Sequence, residues 1–438
     1  MPPRVKLVGF ERNEAMNGAQ AMLEWLAGSG IRYLFGNPGS SELPLMDALV
    51  GEQRLQYILG LQEIPVMAIA DGYAQASGGP AVVNLHIACG LGNAMGMLYN
   101  AAKSGAPLLL TAGQHDQSFL LTEPILYSNL VDLARPYVKW AYEIRRLEDL
   151  VRAVRRAVKV ALAPPSGPVF LSLPMDVLKA EGEIDLGGST RVDPRLRPSR
   201  EAVERAAEML RGAGNPVFIA GDAVARGDAH RELARLAEFL GAPVYQQTVS
   251  GTCNFPSSHP LSLGPLPRVQ KVVRKALDEA DLLFSVGADL MTMSLPAEVE
   301  PVPPGLPIIH LHLDPWEIGK NYPARLGILG DPGETLRELL QELQHRLPPE
   351  KQKEAGIRAE RIRRMKEERE SALRERARKG RDLIPIPPLA LMETIADALP
   401  PDGVVVDETI SSGRGLQTFL RSEDPHSFYG MRGGGIGW

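Results

Sequence analysis

Short apolar runs alternate with amphipathic stretches along most of this chain. In the first part of the sequence the apolar runs are rich in β-branched residues and are bounded by Gly, Pro and Ser, which is typical of strands. Strands that alternate with helices, and that are apolar at every position, indicate a parallel sheet covered on both faces. Predicted strands lie near residues 31–35, 55–61, 81–86, 107–112 and 169–173. The fold class predicted is α/β with doubly wound parallel sheets.

The same alternation returns after a polar segment without periodicity, which indicates more than one domain. A first α/β domain is predicted at 13–180, where Asn13 caps a helix at 14–27. The remaining boundaries are a linker at 181–200, a central α/β domain at 201–347, a charged connector helix at 348–383 and a third unit at 384–438. The third unit is too short to close a sheet of its own.

Three successive predicted strands run into polar residues that can do chemistry, namely Ser40, Glu63 and His86. Because ligands bind at the carboxyl ends of parallel strands, this edge is expected to be an active site. Each residue also has a simpler interpretation. A glutamate at a helix start is favoured by the helix dipole, a histidine that ends a buried strand can be structural, and Ser40 or Ser41 can cap a helix.

A Gly-rich turn at 89–92, predicted to open a helix at Asn93, gives a competing hypothesis. It loosely matches a dinucleotide fingerprint, with Asp116 about 20 residues further on. The insert His-Ile-Ala-Cys at 86–89 separates the apolar run 81–85 from the first glycine, whereas the fingerprint needs the turn at once, so a nicotinamide oxidoreductase is only a minor alternative. His310 and His312 alternate on a later strand without an accompanying carboxylate or thiol cluster, which favours a structural role.

Composition narrows the class of protein. The net charge of −5 gives no support for nucleic acid or an anionic membrane as a partner. The two cysteines, Cys89 and Cys253, exclude a disulfide framework and fit a reducing cytoplasm. Neither a signal peptide nor a stretch long enough to span a bilayer is recognised. We therefore predict a soluble, cytoplasmic protein.

Taken together, these segments resemble the thiamine diphosphate-dependent decarboxylases and carboligases, benzoylformate decarboxylases more than acetolactate synthases. The matching stretches are FGNPGSSELPL (35–45), YILGLQEIPVMAIADGYAQASG (57–78), PAVVNLHIACGLGNAMG (80–96), PLLLTAGQ (107–114), PYVKWAYE (136–143), VVVDETISS (404–412) and GGGIG (433–437). The resemblance implies the thiamine diphosphate-binding fold with an incomplete third domain. It further implies decarboxylation of a 2-oxo acid, carboligation or both. A homodimer or homotetramer is also implied, with the active site where the first domain of one chain meets the third domain of another.

The resemblance also assigns roles to residues. Glu63 would bond N1′ of the cofactor's aminopyrimidine, His86 would be the acid/base group, and Ser40 would bond the substrate carboxylate. Gly434 would offer its carbonyl oxygen to the 4′-amino group, and Ile436 would be the apolar wedge that holds the cofactor bent. The whole set of implied cofactor-binding residues is Glu63, Asn37, Pro38, Gly39, Glu408, Thr409, Gly434, Gly435 and Ile436.

Two departures from the family pattern carry expectations of their own. Benzoylformate decarboxylases have a second active-site histidine shortly after a strand like LLFSVGADL (282–290), and here Ser294 stands in that place. The family's Gly-Asp-Gly motif and asparagine, which hold Mg²⁺ and the diphosphate, would follow Trp438, so no metal ligand is predicted within these residues. The competing class is a truncated, non-catalytic relative that binds or regulates.

Overall fold

The computed structural model describes residues 13–413 and 415–438. The chain divides into two compact units, one running to Asp193 and including Met431–Trp438, the other formed by Pro194–Gly430. Among the described residues, no helix has the length and apolar character needed to cross a membrane.

The first unit is built on a six-stranded sheet in which every neighbouring pair is parallel. In chain order its elements are β1 (Asn13–Asn17), α1 (Gly18–Gly28), β2 (Tyr33–Asn37), α2 (Leu43–Gly51), β3 (Gln56–Leu59), α3 (Glu63–Ser77), β4 (Ala81–Leu85), α4 (Ile87–Ser104), β5 (Leu108–Gln114), α5 (Leu130–Ala134), β6 (Ala141–Glu143), α6 (Leu147–Leu162), β7 (Val169–Pro174), α7 (Met175–Lys179) and β8 (Glu181–Asp185). The order across the sheet is β3-β2-β4-β5-β7-β6. The predicted parallel α/β fold is confirmed for this unit.

Successive residues of the central strands pack into different apolar cores. Val82 and Leu109 lie in one core, whereas Val83 and Leu110 lie in the core on the opposite face. All four are fully buried. Continuous apolar strands are therefore needed here, because neither face of the sheet is open to water.

The first helix begins later than predicted. Asn17, not Asn13, is its cap: Asn17 Oδ1 accepts from the Gln20 amide at 2.9 Å, and the Gln20 side chain accepts from the Asn17 amide at 3.0 Å. Residues 13–17 instead form β1, which pairs antiparallel with β8. The first five residues of the predicted linker are thus a strand, made by a long-range pairing that a local pattern does not show.

The Gly-rich turn predicted at 89–92 does not exist. Helix α4 begins at Ile87, so Gly90 and Gly92 lie inside it, and Asn93 is well within the helix. Gly90 packs against the end of β4, where an added Cβ would lie 3.4 Å from Leu85 Cβ. Both glycines are helical and do not form a phosphate-binding turn.

The second unit repeats the architecture with a different strand order. Its elements are α8 (Arg200–Gly212), β9 (Pro216–Ala220), α9 (Asp222–Arg226), α10 (His230–Leu240), β10 (Val244–Gln246), β11 (Ser262–Pro265), α11 (Gln270–Leu277), β12 (Leu282–Val286), β13 (Ile308–His312), β14 (Leu326–Leu329), α12 (Pro332–Arg346), α13 (Pro349–Arg378), α14 (Pro388–Ala398), β15 (Val405–Asp407), α15 (Leu416–Phe419) and β16 (Phe428–Gly430). Six of its strands form a parallel sheet in the order β11-β10-β9-β12-β13-β14. The predicted charged helix is α13, and ion pairs such as Arg363–Glu367 run along it. The last elements contribute a two-stranded sheet, β15-β16, as expected of a partial third domain.

Candidate active site

The strands that lead to the predicted site residues are neighbours in the sheet. β2 lies between β3 and β4, so the carboxyl ends of all three meet at one edge. The chain passes from β2 to β3 on one side and then crosses back over β2 to β4 on the other side, so the winding of the sheet reverses between β2 and β4. Such a switch point is where ligands bind in open α/β sheets.

Glu63 begins α3 at this edge and is only 8% exposed. Its two carboxylate oxygens accept from two neutral amides, Asn37 Nδ2 on Oε1 and Asn93 Nδ2 on Oε2, both at 3.0 Å. The helix N-terminus adds favourable partial charge. A carboxylate has about four lone-pair directions, so each oxygen can still accept from a ligand.

His86 follows β4 and is held by a second buried carboxylate, Glu42, whose side chain is 1% exposed. Glu42 Oε2 lies 2.8 Å from His86 Nδ1 and accepts from the Gly39 amide at 2.8 Å. Glu42 Oε1 accepts from the Gly113 amide at 2.9 Å and from Ser41 Oγ at 2.7 Å. Because Glu42 is the acceptor of this network, His86 Nδ1 is the donor. Its Nε2 is then the nitrogen left for a ligand.

Two glycines allow the backbone to approach this pair. A Cβ on Gly39 would lie 2.3 Å from His86 Cγ, and one on Gly113 would lie 2.0 Å from Glu42 Oε1. Ile87, directly after His86, has φ +40, although it is β-branched and buried. A residue of that type at positive φ is strained, and such strain is concentrated at functional sites.

This geometry can be compared with known proteins. The chain matches the models "Thiamine pyrophosphate enzyme, N-terminal TPP binding domain" over residues 16–127 and "Thiamine pyrophosphate enzyme, central domain" over residues 203–339. Benzoylformate decarboxylase of Pseudomonas aeruginosa is 32% identical over 421 residues, which cover 95% of this chain and 76% of that relative. The chain belongs to the thiamine pyrophosphate enzyme family.

Two further similarities are to a probable acetolactate synthase and to a solved benzoylformate decarboxylase structure. A probable acetolactate synthase large subunit of Methanocaldococcus jannaschii is 32% identical over 337 residues, covering 74% of this chain and 56% of that protein. The crystal structure of benzoylformate decarboxylase from Polynucleobacter necessarius has a TM-score of 0.83 at 29% identity, covering 97% of this chain and 76% of that one. The nicotinamide alternative is therefore wrong, and the comparisons give no support to a truncated, non-catalytic relative.

The residues around Glu63 fit the cofactor of this family, thiamine pyrophosphate (thiamine diphosphate). An aminopyrimidine needs a buried acceptor for its ring N–H, and Glu63 offers one that two amides orient. Space is left beside it, because position 90 has no side chain and an ideal Cβ there would lie 3.6 Å from Glu63 Oε1. Among residues 13–413 and 415–438, no group of three or more His, Cys, Asp or Glu side chains could hold a metal ion. Mg²⁺ stays a prediction.

Some of the other predicted site residues contact Glu63 or Glu42, and others do not. Asn37 contacts Glu63, and Gly39 contacts Glu42, so both lie in the site. Ser40 is exposed, whereas the buried hydroxyl near His86 Nδ1, at 3.1 Å, belongs to Ser41. The tight turn at 40–42 shifts the inward-facing position by one residue.

The remaining predicted cofactor-binding residues lie elsewhere. Pro38 is half-buried at the end of β2. Glu408 and Thr409 belong to the second unit, where the Thr409 amide and hydroxyl donate to Asp407 Oδ1 at 2.8 and 2.6 Å. Residues 434–436 belong to the first unit, and the Gly435 amide donates to Asn100 Oδ1 at 3.0 Å.

Sequence reasoning missed Glu42 and Asn93, which complete the two carboxylate networks. Glu42 could have been noticed as an acidic residue three positions after Gly39, between a Gly-rich turn and an apolar helix. Asn93 was read as the start of a helix, and only its true position inside α4 brings its amide to Glu63. The structural interpretation of His310 and His312 agrees with their contacts, to the Ala288 carbonyl at 3.0 Å and the Asp314 amide at 2.8 Å.

Proposed function

We propose that this protein is a thiamine diphosphate-dependent enzyme that decarboxylates a 2-oxo acid, joins the resulting unit to a second carbonyl compound, or does both. The observation that carries the proposal is Glu63. It is a buried carboxylate at the switch point of the sheet, held by two neutral amides. At the same edge Glu42 follows β2 and His86 follows β4. The names of the relatives support the reaction class.

Glu63 would hold a proton at N1′ of the pyrimidine, because its carboxylate is kept as an acceptor by Asn37 and Asn93. Residues 37–39, Glu408, Thr409 and 434–436 would complete the cofactor site. When bound, thiamine diphosphate supplies the carbon nucleophile and the sink for the electrons released with carbon dioxide. The protein would therefore contribute chiefly by placing the Glu63 carboxylate at N1′ of the bound cofactor.

His86 would move protons at Nε2, since Nδ1 is engaged by Glu42. Glu42 would act through His86 as a positioning residue: it fixes the imidazole orientation and stabilises the ring when it carries a second proton. The role predicted for Ser40, bonding the substrate carboxylate, stays a proposal, and Ser41 is the hydroxyl nearer to His86.

The substrate is proposed from a difference between this chain and benzoylformate decarboxylases. Ser294 is exposed and stands where those enzymes have a second histidine. A serine hydroxyl does not titrate near neutral pH, so it is a poor replacement for imidazole in the last protonation. We therefore expect benzoylformate to be a poor substrate and another 2-oxo acid, or a carboligation, to be preferred.

The test uses the full-length protein with thiamine diphosphate and Mg²⁺. Pyruvate, branched 2-oxo acids and benzoylformate are supplied in turn, carbon dioxide release is measured, and products are identified by NMR. Cofactor-dependent release from at least one acid, lost in Glu63→Gln and kept in the surface variant Glu24→Gln, supports the function. No release from any acid contradicts it, and rapid release from benzoylformate contradicts the substrate prediction.

The assembly proposed is a homodimer or homotetramer with the active site at the chain interface. Light scattering during size-exclusion chromatography measures the mass directly, and a monomer under assay conditions would contradict it. The cytoplasmic location stays a prediction.

A further inference from the structure

Two helices of the first unit carry buried polar side chains that the proposed chemistry does not use. Asp71 on α3 and Asn100 on α4 are 1% and 2% exposed. Ser104 Oγ of α4 donates to Asp71 Oδ1 at 3.1 Å, which joins the two helices. Burying a carboxylate is costly, and burial raises the pKa of Asp71, so its position requires a partner.

Gln75 Nε2 also donates to Asp71 Oδ1, at 2.9 Å, and the other oxygen, Oδ2, contacts the segment 433–438 of the same unit, named here the glycine loop. Trp438 Nε1 donates to Asp71 Oδ2 at 2.6 Å. Asn100 pairs with the backbone of Gly435 in both directions: the Gly435 amide donates to Asn100 Oδ1, and Asn100 Nδ2 donates to the Gly435 carbonyl, each at 3.0 Å. The glycine loop is thus held at two points: the Trp438 side chain donates to Asp71, and the Gly435 backbone pairs with Asn100.

The composition of the glycine loop follows from this docking. A Cβ on Gly433 would lie 2.2 Å from Asn100 Oδ1 and 2.7 Å from Asn100 Cα. Gly434 and Gly437 have φ of +81 and +96, a conformation that side chains disfavour. Close contact and backbone conformation therefore account for three of the glycines without reference to any ligand.

The docked loop runs beside the helix that carries Glu63. A Cβ on Gly437 would lie 3.6 Å from Ile64 Cγ2, and the Trp438 side chain packs against the apolar core of α3 and α4. Ile436 lies between the two anchored positions, Gly435 and Trp438, and is 78% exposed. An apolar residue held out between two anchors is positioned to contact a ligand.

We propose that Asp71 and Asn100 are positioning residues that dock the glycine loop on α3 and α4 and thereby fix Gly434 and Ile436 for the cofactor. The docking stands on the contacts alone, and its consequence for the cofactor rests on the function proposed above. Neither residue touches the reacting atoms; both act through the loop.

Hydrogen exchange followed by mass spectrometry tests the docking in the full-length protein without cofactor. In Asp71→Asn and Asn100→Ala we expect the peptide covering 431–438 to exchange about tenfold faster, the change expected when roughly one net hydrogen bond is lost. Asp47→Asn, an exposed position on α2, is the matched control and should leave that peptide unchanged.

Gly433→Ala keeps the test decisive if a polar variant fails to fold, because it leaves α3 and α4 intact and acts only through the clash with Asn100. Gly188→Ala is its control, since a Cβ there meets nothing within 4 Å. Faster exchange at 431–438 in Gly433→Ala, with unchanged exchange in Gly188→Ala, supports the docking. Unchanged exchange in all three variants overturns it.

Titration with thiamine diphosphate and Mg²⁺ tests the consequence. The positioning role is supported if a variant exchanges faster at 431–438, binds the cofactor about tenfold more weakly than wild type and keeps the thermal midpoint of wild type. Faster exchange at 431–438 with unchanged affinity for thiamine diphosphate overturns that role. If wild type binds no thiamine diphosphate, the proposed function fails while the exchange result still decides the docking.

Discussion

The two parallel sheets of this chain differ most at the point where their winding reverses. In the first unit this point lies between β2 and β4, and polar side chains gather there: Glu63 with its amides, and His86 with Glu42. In the second unit it lies between β9 and β12, and the loops that follow these two strands close on each other.

Backbone groups make the closure in the second unit. The Gly221 amide donates to the Val286 carbonyl at 2.9 Å, and the Ala223 amide donates to the Gly287 carbonyl at 3.1 Å. A Cβ on Gly221 would lie 2.2 Å from Ala288 Cα, so the two loops are in contact. Glycines allow close contact in both units, but Gly39 and Gly113 let the backbone approach the His86–Glu42 side chains, whereas Gly221 lets two backbone loops meet.

The comparison shows that sheet topology selects a place for a site but not its chemistry. Both sheets are parallel, apolar on both faces and wound in two directions. Each presents a buried carboxylate at the reversal, but they are held differently: Glu63 accepts from two side-chain amides and lies near the His86–Glu42 pair, whereas Asp222 accepts from the backbone amide of Gly251 at 2.9 Å. The predictions that follow test whether residues at the reversal of the first sheet affect catalysis, and whether those of the second unit affect only stability.

The largest effect is expected for Glu63→Gln. The amide keeps the shape of the side chain but loses the charge that would hold the N1′ proton, so exchange of C2–H in bound thiamine diphosphate should fall by about 10⁴, the upper end for acid–base groups. NMR of the quenched cofactor measures that rate. Equal exchange in mutant and wild type would remove Glu63 from the mechanism.

His86→Ala is expected to lower turnover by about 10²–10⁴ as a loss of acid–base catalysis. Cofactor affinity should change little, because the contacts described for Glu63 do not involve this imidazole. Steady-state kinetics and calorimetric titration make the comparison. A variant with full turnover and a lowered thermal midpoint would instead make His86 a structural residue.

Two glycine variants separate the units directly. Gly39→Ala and Gly221→Ala introduce clashes of similar depth, at 2.3 Å from His86 Cγ and 2.2 Å from Ala288 Cα. Each should cost about 1–3 kcal/mol of stability from overpacking. Only Gly39→Ala should also lower turnover, because it displaces the imidazole. Thermal unfolding and activity are measured on both; equal losses of activity would contradict the distinction.

The last prediction concerns stability at acid pH and the second unit, where no effect on turnover at neutral pH is expected. Burial, then the charges of Arg226 and His310, lower the pKa of His312 from 6.5 to about 3. The folded state therefore disfavours the proton, so this contribution to stability is present above pH 6.5 and is lost as the pH falls towards 3. The slope is about 1.4 kcal/mol per pH unit for one group.

His312→Gln removes that group, so the stability of the variant should fall less steeply than that of wild type between pH 6.5 and 4. Urea unfolding midpoints across this range measure the difference. Parallel curves for the two proteins would show that His312 does not contribute.

Local patterns along the chain were enough to predict the fold class and the edge of the first sheet where the candidate site lies. Continuous apolar strands and alternating helices are local patterns, and strand ends mark an edge whatever the strand order. Glu63 and His86 were therefore found as residues that follow strands. The linear match of motifs also indicated the family, because it depends on residue types in order and not on contacts.

The tertiary structure alone decided which side chains complete the site. Glu42 reaches His86 across 44 positions, and Asn93 reaches Glu63 across 30. The start of α4 at Ile87 was hidden for a related reason: glycines favour a turn locally, but packing against β4 places them in a helix. Strand order, the contact of the buried Ser41 with His86 and the docking of 433–438 all depend on distant contacts. A pattern read along the chain contains propensities, whereas burial and hydrogen-bond partners exist only after the chain has folded.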